Sequence, residues 1–119
     1  MNLNSWDTSN ATNLSNIFSD CYGLTSLDIS GWDTSNVTDM SNMFWRCSGL
    51  TILDISNFTF DSVTSYDSIF NGMQARTDNT PTIIVKDATA QNWVLALTST
   101  ERPESWTVDN VVLKSSVQS

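Results

Sequence analysis

The sequence contains no histidine, and only 5 of its 119 residues are lysine or arginine against 13 aspartates and glutamates, a net charge of −8. The missing histidine excludes a Cys–His nucleophile and any zinc site built from Cys and His. So little positive charge argues against nucleic acid as a partner, because phosphate contacts need clustered Lys and Arg, and it disfavours anionic membrane surfaces for the same reason. Cysteine is also scarce: Cys21 and Cys47 are too few for a disulfide-dense scaffold. No run approaches the roughly 20 apolar residues of a membrane helix, so no membrane insertion is expected. Met1 to Ser5 lack the basic start and apolar stretch of a signal peptide, so export would have to be directed by a longer parent chain.

What is abundant is Ser, Thr and Asn, 45 residues together, alongside five Trp and five Phe. The aromatics supply the apolar area that ordering requires. The composition therefore describes one modest, folded, acidic domain and argues against an enzyme.

A tandem repeat organises the chain. Residues 6–31 (WDTSNATNLSNIFSDCYGLTSLDISG) and 32–57 (WDTSNVTDMSNMFWRCSGLTILDISN) share seventeen of 26 positions. A decayed third copy starts at Phe58 and loses register after Gly72. Met1 and Leu3 fall in phase with Leu27/Leu53 and Ile29/Ile55, so the chain opens inside a unit. Solenoids normally close their ends with a polar cap, so the expectation is either a fragment of a longer array or an N-terminal edge that another protein covers, with Met1 and Leu3 as its contacts.

Each unit divides in two. Leu24 to Ile29 and Leu50 to Ile55 end in the alternation of a short half-buried strand. Val37, Met40, Met43, Phe44 and Cys47 have the spacing of one face of a short helix, with Asp33, Thr34, Ser35 or Asn36 as its cap. Gly23 and Gly49 fall where helix turns to strand, where positive φ is often needed. Strands would stack in parallel about 4.8 Å apart.

The spacing Phe18-x-x-Cys21-x-x-Leu24-x-x-Leu27-x-Ile29, repeated from Phe44 to Ile55, resembles the leucine-rich repeats of bacterial BspA-like surface proteins. The phrase WDTSNVTDMSNMF is similar to the most recurrent stretch of one branch of that family, and IIVKDATAQNWVLAL (83–97) resembles the tail that follows the last unit. The resemblance implies an α/β solenoid, a short leucine-rich-repeat array, that is surface-exposed, protein-binding and without catalysis. Its expected organisation is a repeat region 1–81 (partial unit 1–5, units 6–31 and 32–57, degenerate unit 58–81) and a C-terminal helix–strand cap 82–119. In that cap, Thr82–Val85 is expected as a strand, Asp87 as a helix start ahead of an amphipathic window to Leu97, Trp106–Leu113 as a further strand, and 114–119 as a frayed tail.

The candidate site residues are those that break or mark the repeat. Asp28 and Asp54 share one phase on successive strands, roughly 5 Å apart if the strands stack. That separation suits a retaining glycosidase pair or part of a calcium site. Solvated repeat positions are the simpler reading, since no second carboxylate environment and no EF-hand spacing accompany them. Asp7 and Asp33 read as helix caps. Cys21 and Cys47, one period apart, suit a ladder of buried thiols, with a disulfide as the alternative. Trp6, Trp32 and Phe58 read as a core aromatic ladder. Trp45 and Arg46 replace Ser19 and Asp20, and a Trp–Arg pair on a polar rim has the composition of an interaction hot spot. Tyr22, Ile52 and Tyr66 are similarly out of pattern. Four Asn-x-Ser/Thr triplets, at Asn10, Asn13, Asn36 and Asn57, follow from composition and are assigned no role.

The expected function is a non-enzymatic binding or adhesion module. It would present its solenoid face and the Trp45/Arg46 rim to a protein or glycan on a host or cell surface, with no cofactor and no metal. The rival expectation is a structural subunit of a surface layer, virion or tail, self-associating or stacking on a neighbour through the N-terminal edge. Either places the chain outside a cell, on its surface or in a virion.

Overall fold

The computed structural model of the protein describes residues 2–73, 81–98, 100–103 and 106–116. Strands β1 (Ser26–Asp28), β2 (Ile52–Asp54), β3 (Thr82–Val85) and β4 (Val111–Leu113) form one parallel sheet in chain order. A single α-helix among the described residues, α1 (Ala88–Leu95), joins β3 to β4. The architecture is α/β, four parallel strands with one helix. The register carries Leu27, Leu53, Ile83 and Val111 into one row, all four buried. Ile29, Ile55 and Val85 are also buried. A second row of core groups lies opposite the sheet. The rings of Phe18, Phe44 and Phe70 stack at 5.8 and 5.6 Å, their planes within 5° and 1° of parallel.

The strand of residues 82–85 falls where the sequence placed it, and Asp87 caps α1 by accepting from the Ala90 amide at 3.1 Å. The other strands are shorter than expected. The greatest shortfall is at the fourth, where Thr107 to Asn110 form a turn and only Val111–Leu113 pair with β3. Lys114–Ser116 form a 3-10 turn rather than a frayed tail, while residues 117–119 lie outside the described residues, as do Met1 and the polar stretch 74–80.

The helix expected in each repeat unit does not form. The apolar residues chosen for it, Val37, Met40, Met43, Phe44 and Cys47, are all buried. Their backbone, however, is a chain of turns. Met43, Cys47 and Leu50 donate to the carbonyl three residues back, at Met40, Phe44 and Cys47, all at 3.2 Å. The amides between them donate sideways instead: Met40, Asn42, Phe44 and Arg46 to Ser65, Asp67, Ile69 and Asn71 in the next unit, at 2.8–2.9 Å. An α-helix would spend those amides on its own carbonyls four residues back. It is also barred by φ near +60° at Asn16, Asp20, Asn42, Arg46 and Ser68, a left-handed conformation in which Asn and Asp are enriched among non-glycine residues.

Those positions, with Gly72 (φ +84°), also take over the role expected of Gly23 and Gly49, neither of which has positive φ. Gly49 is needed for a different reason: a Cβ there would meet the Tyr22 carbonyl oxygen at 2.5 Å. Gly23 has no such neighbour.

The helix caps expected at Asp7 and Asp33 are turn braces. Asp7 accepts from the Ser9 amide and hydroxyl at 3.0 and 2.7 Å, and Asp33 from those of Ser35 at 2.9 and 2.6 Å. The same Asp-x-Ser brace recurs at Asp28–Ser30 and Asp39–Ser41. Threonines fasten unit to unit: Thr34 Oγ1 donates to the Thr59 carbonyl and accepts the Thr59 amide, both at 3.0 Å. The hydroxyl- and amide-rich composition thus has a structural use, satisfying turn backbone that no helix or strand covers.

Candidate interaction surface

Arg46 stands where the first unit has Asp20 and the third has Gly72. Its left-handed backbone (φ +62°) turns it out of the stack. The guanidinium lies 5.1 Å from the centre of the Trp45 ring and 5.8 Å from that of Tyr22, two cation–π contacts. Asp20 completes the cluster. It receives the Tyr22 hydroxyl at 2.9 Å and faces the Arg46 Nε at 3.7 Å. The hydrogen bond to Asp20 raises the Tyr22 pKa, opposed in part by the Arg46 charge. Nε is therefore engaged, and among the described residues nothing bonds the outer Nη1 and Nη2 fork. Trp45 is half-buried, while Tyr22 and Arg46 are exposed. The structure thus brings together three of the residues singled out in the sequence, Tyr22, Trp45 and Arg46.

Asp28, Asp54 and Ile52 lie elsewhere, on the outer face of the sheet. Asp28 and Asp54 are register partners, as expected, and Ile84 continues their row on β3. With Asn2, Ser26 and Ile52 they line an open hollow of about 290 Å³. Asp28 is bound by the Ser30 hydroxyl and amide and by Asn4 Nδ2 at 3.1 Å. The Ser30 contacts hold its carboxyl below the ordinary range, with smaller help from Asn4 and Lys114. A carboxyl kept ionised in this way is a poor proton donor. Asp54 accepts the Ser56 amide and pairs with Lys114 Nζ at 3.3 Å. Among the described residues no group of three or more His, Cys, Asp and Glu side chains is placed to hold a metal.

Both cysteines are free thiols. Cys47 is buried and donates to the Phe18 carbonyl at 3.0 Å, and burial pushes its pKa up to about 11. It is inert packing rather than a reactive group.

At the N-terminal edge, Leu3 is half-buried against the core and donates its amide to the Asp28 carbonyl at 3.2 Å. Trp6, expected in the core, stacks on Trp32 at 5.9 Å but is 53% exposed. It is the end of its ladder, with no unit among the described residues to cover its other face. Ile17 is likewise exposed where its counterpart Met43 is buried. The first unit also carries a row of free acceptors among the described residues. The carbonyls of Asp39, Ser41, Met43 and Trp45 each accept an amide from the preceding unit. Among the described residues nothing donates to their counterparts at Asn13, Ser15, Ile17 and Ser19. Trp6 is the same residue as its buried counterpart Trp32, so the repeat sequence does not mark its exposure. No sequence signal marked Asp20 as the anchor of the rim.

No curated protein and no solved structure matches the chain. The two-fold and decayed third repeat lies within residues 1–83, the span matched by one family model, and the chain belongs to that family, described as Mycoplasma protein of unknown function, DUF285.

Proposed function

We propose that the chain is a non-enzymatic binding module, a short BspA-like leucine-rich-repeat solenoid displayed at a cell surface, that engages a protein or glycan through the Tyr22–Trp45–Arg46 rim. The observation that carries this reading is the Arg46 fork, which has no partner among the described residues. It is held between two aromatic rings on a strongly acidic surface, at positions where the repeat itself requires neither Trp nor Arg. Tyr, Trp and Arg are the residues in which binding energy concentrates, and a guanidinium fork recognises carboxylates bidentately. Asp20 and the two rings restrict the Arg46 side chain before a partner arrives, which lowers the entropy cost of binding.

The test is a panel of immobilised surface glycans and surface proteins probed with the wild type, Arg46→Ala, Trp45→Ala and Asp54→Asn. The rim reading requires at least one ligand whose binding weakens by about 2 kcal/mol or more in the first two variants and is nearly unchanged in the third. Binding indifferent to Arg46 and Trp45 removes it.

A second reading, assembly with a neighbouring subunit, draws support from the carbonyls of Asn13, Ser15, Ile17 and Ser19, to which nothing donates among the described residues. It requires a partner edge rich in amide donors. The two readings part on whether the chain associates with itself.

A further inference from the structure

Between the turn that follows β2 and the first turns of α1 lies an open cleft of about 410 Å³. It lies within the usual range for ligand pockets, roughly 300–1,000 Å³. Its apolar lining is aromatic: Phe58 and Phe60 are buried, and the half-buried Trp93 stacks on Phe60 with ring centres 4.0 Å apart and planes within 3°. Tyr66 meets Trp93 edge to face at 5.3 Å and fixes the indole from another side. Around these rings stand Thr59, Asp61, Lys86, Thr89 and Asn92. Among the described residues none of these five side chains has a hydrogen-bond or ion-pair partner, although Asp61 and Lys86 line the same cleft. Asp87, also at the cleft, is occupied in capping α1.

We infer that this cleft is a saccharide site that takes a single uncharged pyranose ring, independent of the rim at Arg46. A pyranose is apolar on its C–H faces and carries donors and acceptors along its edge, the same division the cleft shows. The half-buried Trp93 indole is the aromatic surface offered to the C–H face, since Phe58 and Phe60 are buried. The Asp61 carboxylate, the Asn92 amide, the Lys86 ammonium and the threonine hydroxyls provide both acceptors and donors for the ring's hydroxyls. A wholly apolar ligand would bury those polar groups unpaired, which is costly. A strongly charged one gains little, because Lys86 is opposed by Asp61 and Asp87.

The experiment is an amide and indole NMR titration of the whole chain with the methyl glycosides of glucose, galactose, mannose and N-acetylglucosamine. The expected result is saturable shifts from at least one sugar, concentrated at the Trp93 indole N–H, the Asn92 side-chain amide and the Ala90 backbone. Asp61→Ala and Asn92→Ala should each weaken that binding about tenfold. Arg46→Ala should leave it unchanged, so the fate of this site is separable from that of the rim. Asp61 and Asn92 are exposed and, among the described residues, bond nothing through their side chains, so both variants keep the fold. No saturable shift from any of the four sugars, shifts centred elsewhere, or equal affinity in the Asp61 and Asn92 variants would overturn the assignment.

Discussion

At the scale of single residues the structure separates positions that the repeat makes look alike. Gly23 and Gly49 occupy one phase, but only Gly49 has another unit's backbone against it. Gly49→Ala drives a Cβ to 2.5 Å from the Tyr22 carbonyl oxygen and is expected to cost about 1–3 kcal/mol. Gly23→Ala, with nothing within 4 Å, is expected to be close to neutral. Denaturant unfolding of the two variants checks this contrast, and equal effects would contradict the stacking of the first two units. Gly72→Ala is expected to cost at least about 1 kcal/mol, since it forces an alanine to φ +84° with its Cβ 3.0 Å from the Arg46 Cα.

Two titrations belong at the same scale. The Cys47 thiol keeps its proton to about pH 11, whereas in the unfolded chain it ionises near 9.0. The unfolded state therefore holds fewer protons between these values, and stability falls as pH rises through that window. Alkylation of Cys47 against pH should show its reactivity rising only toward pH 11. For Asp28 the sign is opposite. Its carboxyl lies below the ordinary 3.8, so its contribution is present above that value and is lost as pH falls through the folded-state value. Ser30→Ala should move the Asp28 carboxyl resonance midpoint back up toward 3.8, because the Ser30 hydroxyl is its largest support.

At the scale of elements, the limit of sequence reading was backbone, not burial. Apolar spacings of three and four named the buried residues from Val37 to Cys47 correctly and their conformation wrongly. A row of three-residue turns and a helix of 3.6 residues per turn bury nearly the same positions over two turns. What distinguishes them is where the intervening amides go, and that depends on a neighbouring unit 25 residues away. Asn and Asp at the left-handed positions were the available clue. By contrast β3 and the Asp87 cap were legible because their signals are local: a run of β-branched residues, then a side chain that caps an amide three residues on. Trp45 and Arg46 were legible because they break the repeat. The exposure of Trp6 was not, because a ladder position looks the same at the end of a stack as within it. The cleft beside α1 left no trace in the sequence, since it is made by residues some 30 positions apart. The elements also differ in what they contribute. Phe44, stacked on both faces by Phe18 and Phe70, should cost about 3–5 kcal/mol on replacement by alanine, whereas Trp6→Ala should cost much less, having one covered face.

At the scale of the whole molecule, the two ends of the stack differ. The far end is closed: the Phe70 amide donates to the Glu101 carbonyl at 2.7 Å, Trp106 packs on Phe70, and Trp93 packs on Tyr66. The near end is a row of acceptors. Two copies meeting near end to near end would set carbonyl against carbonyl, and near end to far end would meet a covered face. A net charge of −8 repels copies further. The account therefore takes the chain to work as a single copy that binds something other than itself. Light scattering of the 119-residue chain over a dilution series tests this most directly. The account predicts a mass that stays at 13.2 kDa throughout. A mass that climbs with concentration, and returns to that value in Ile17→Asp, would contradict it and make the N-terminal edge the working surface.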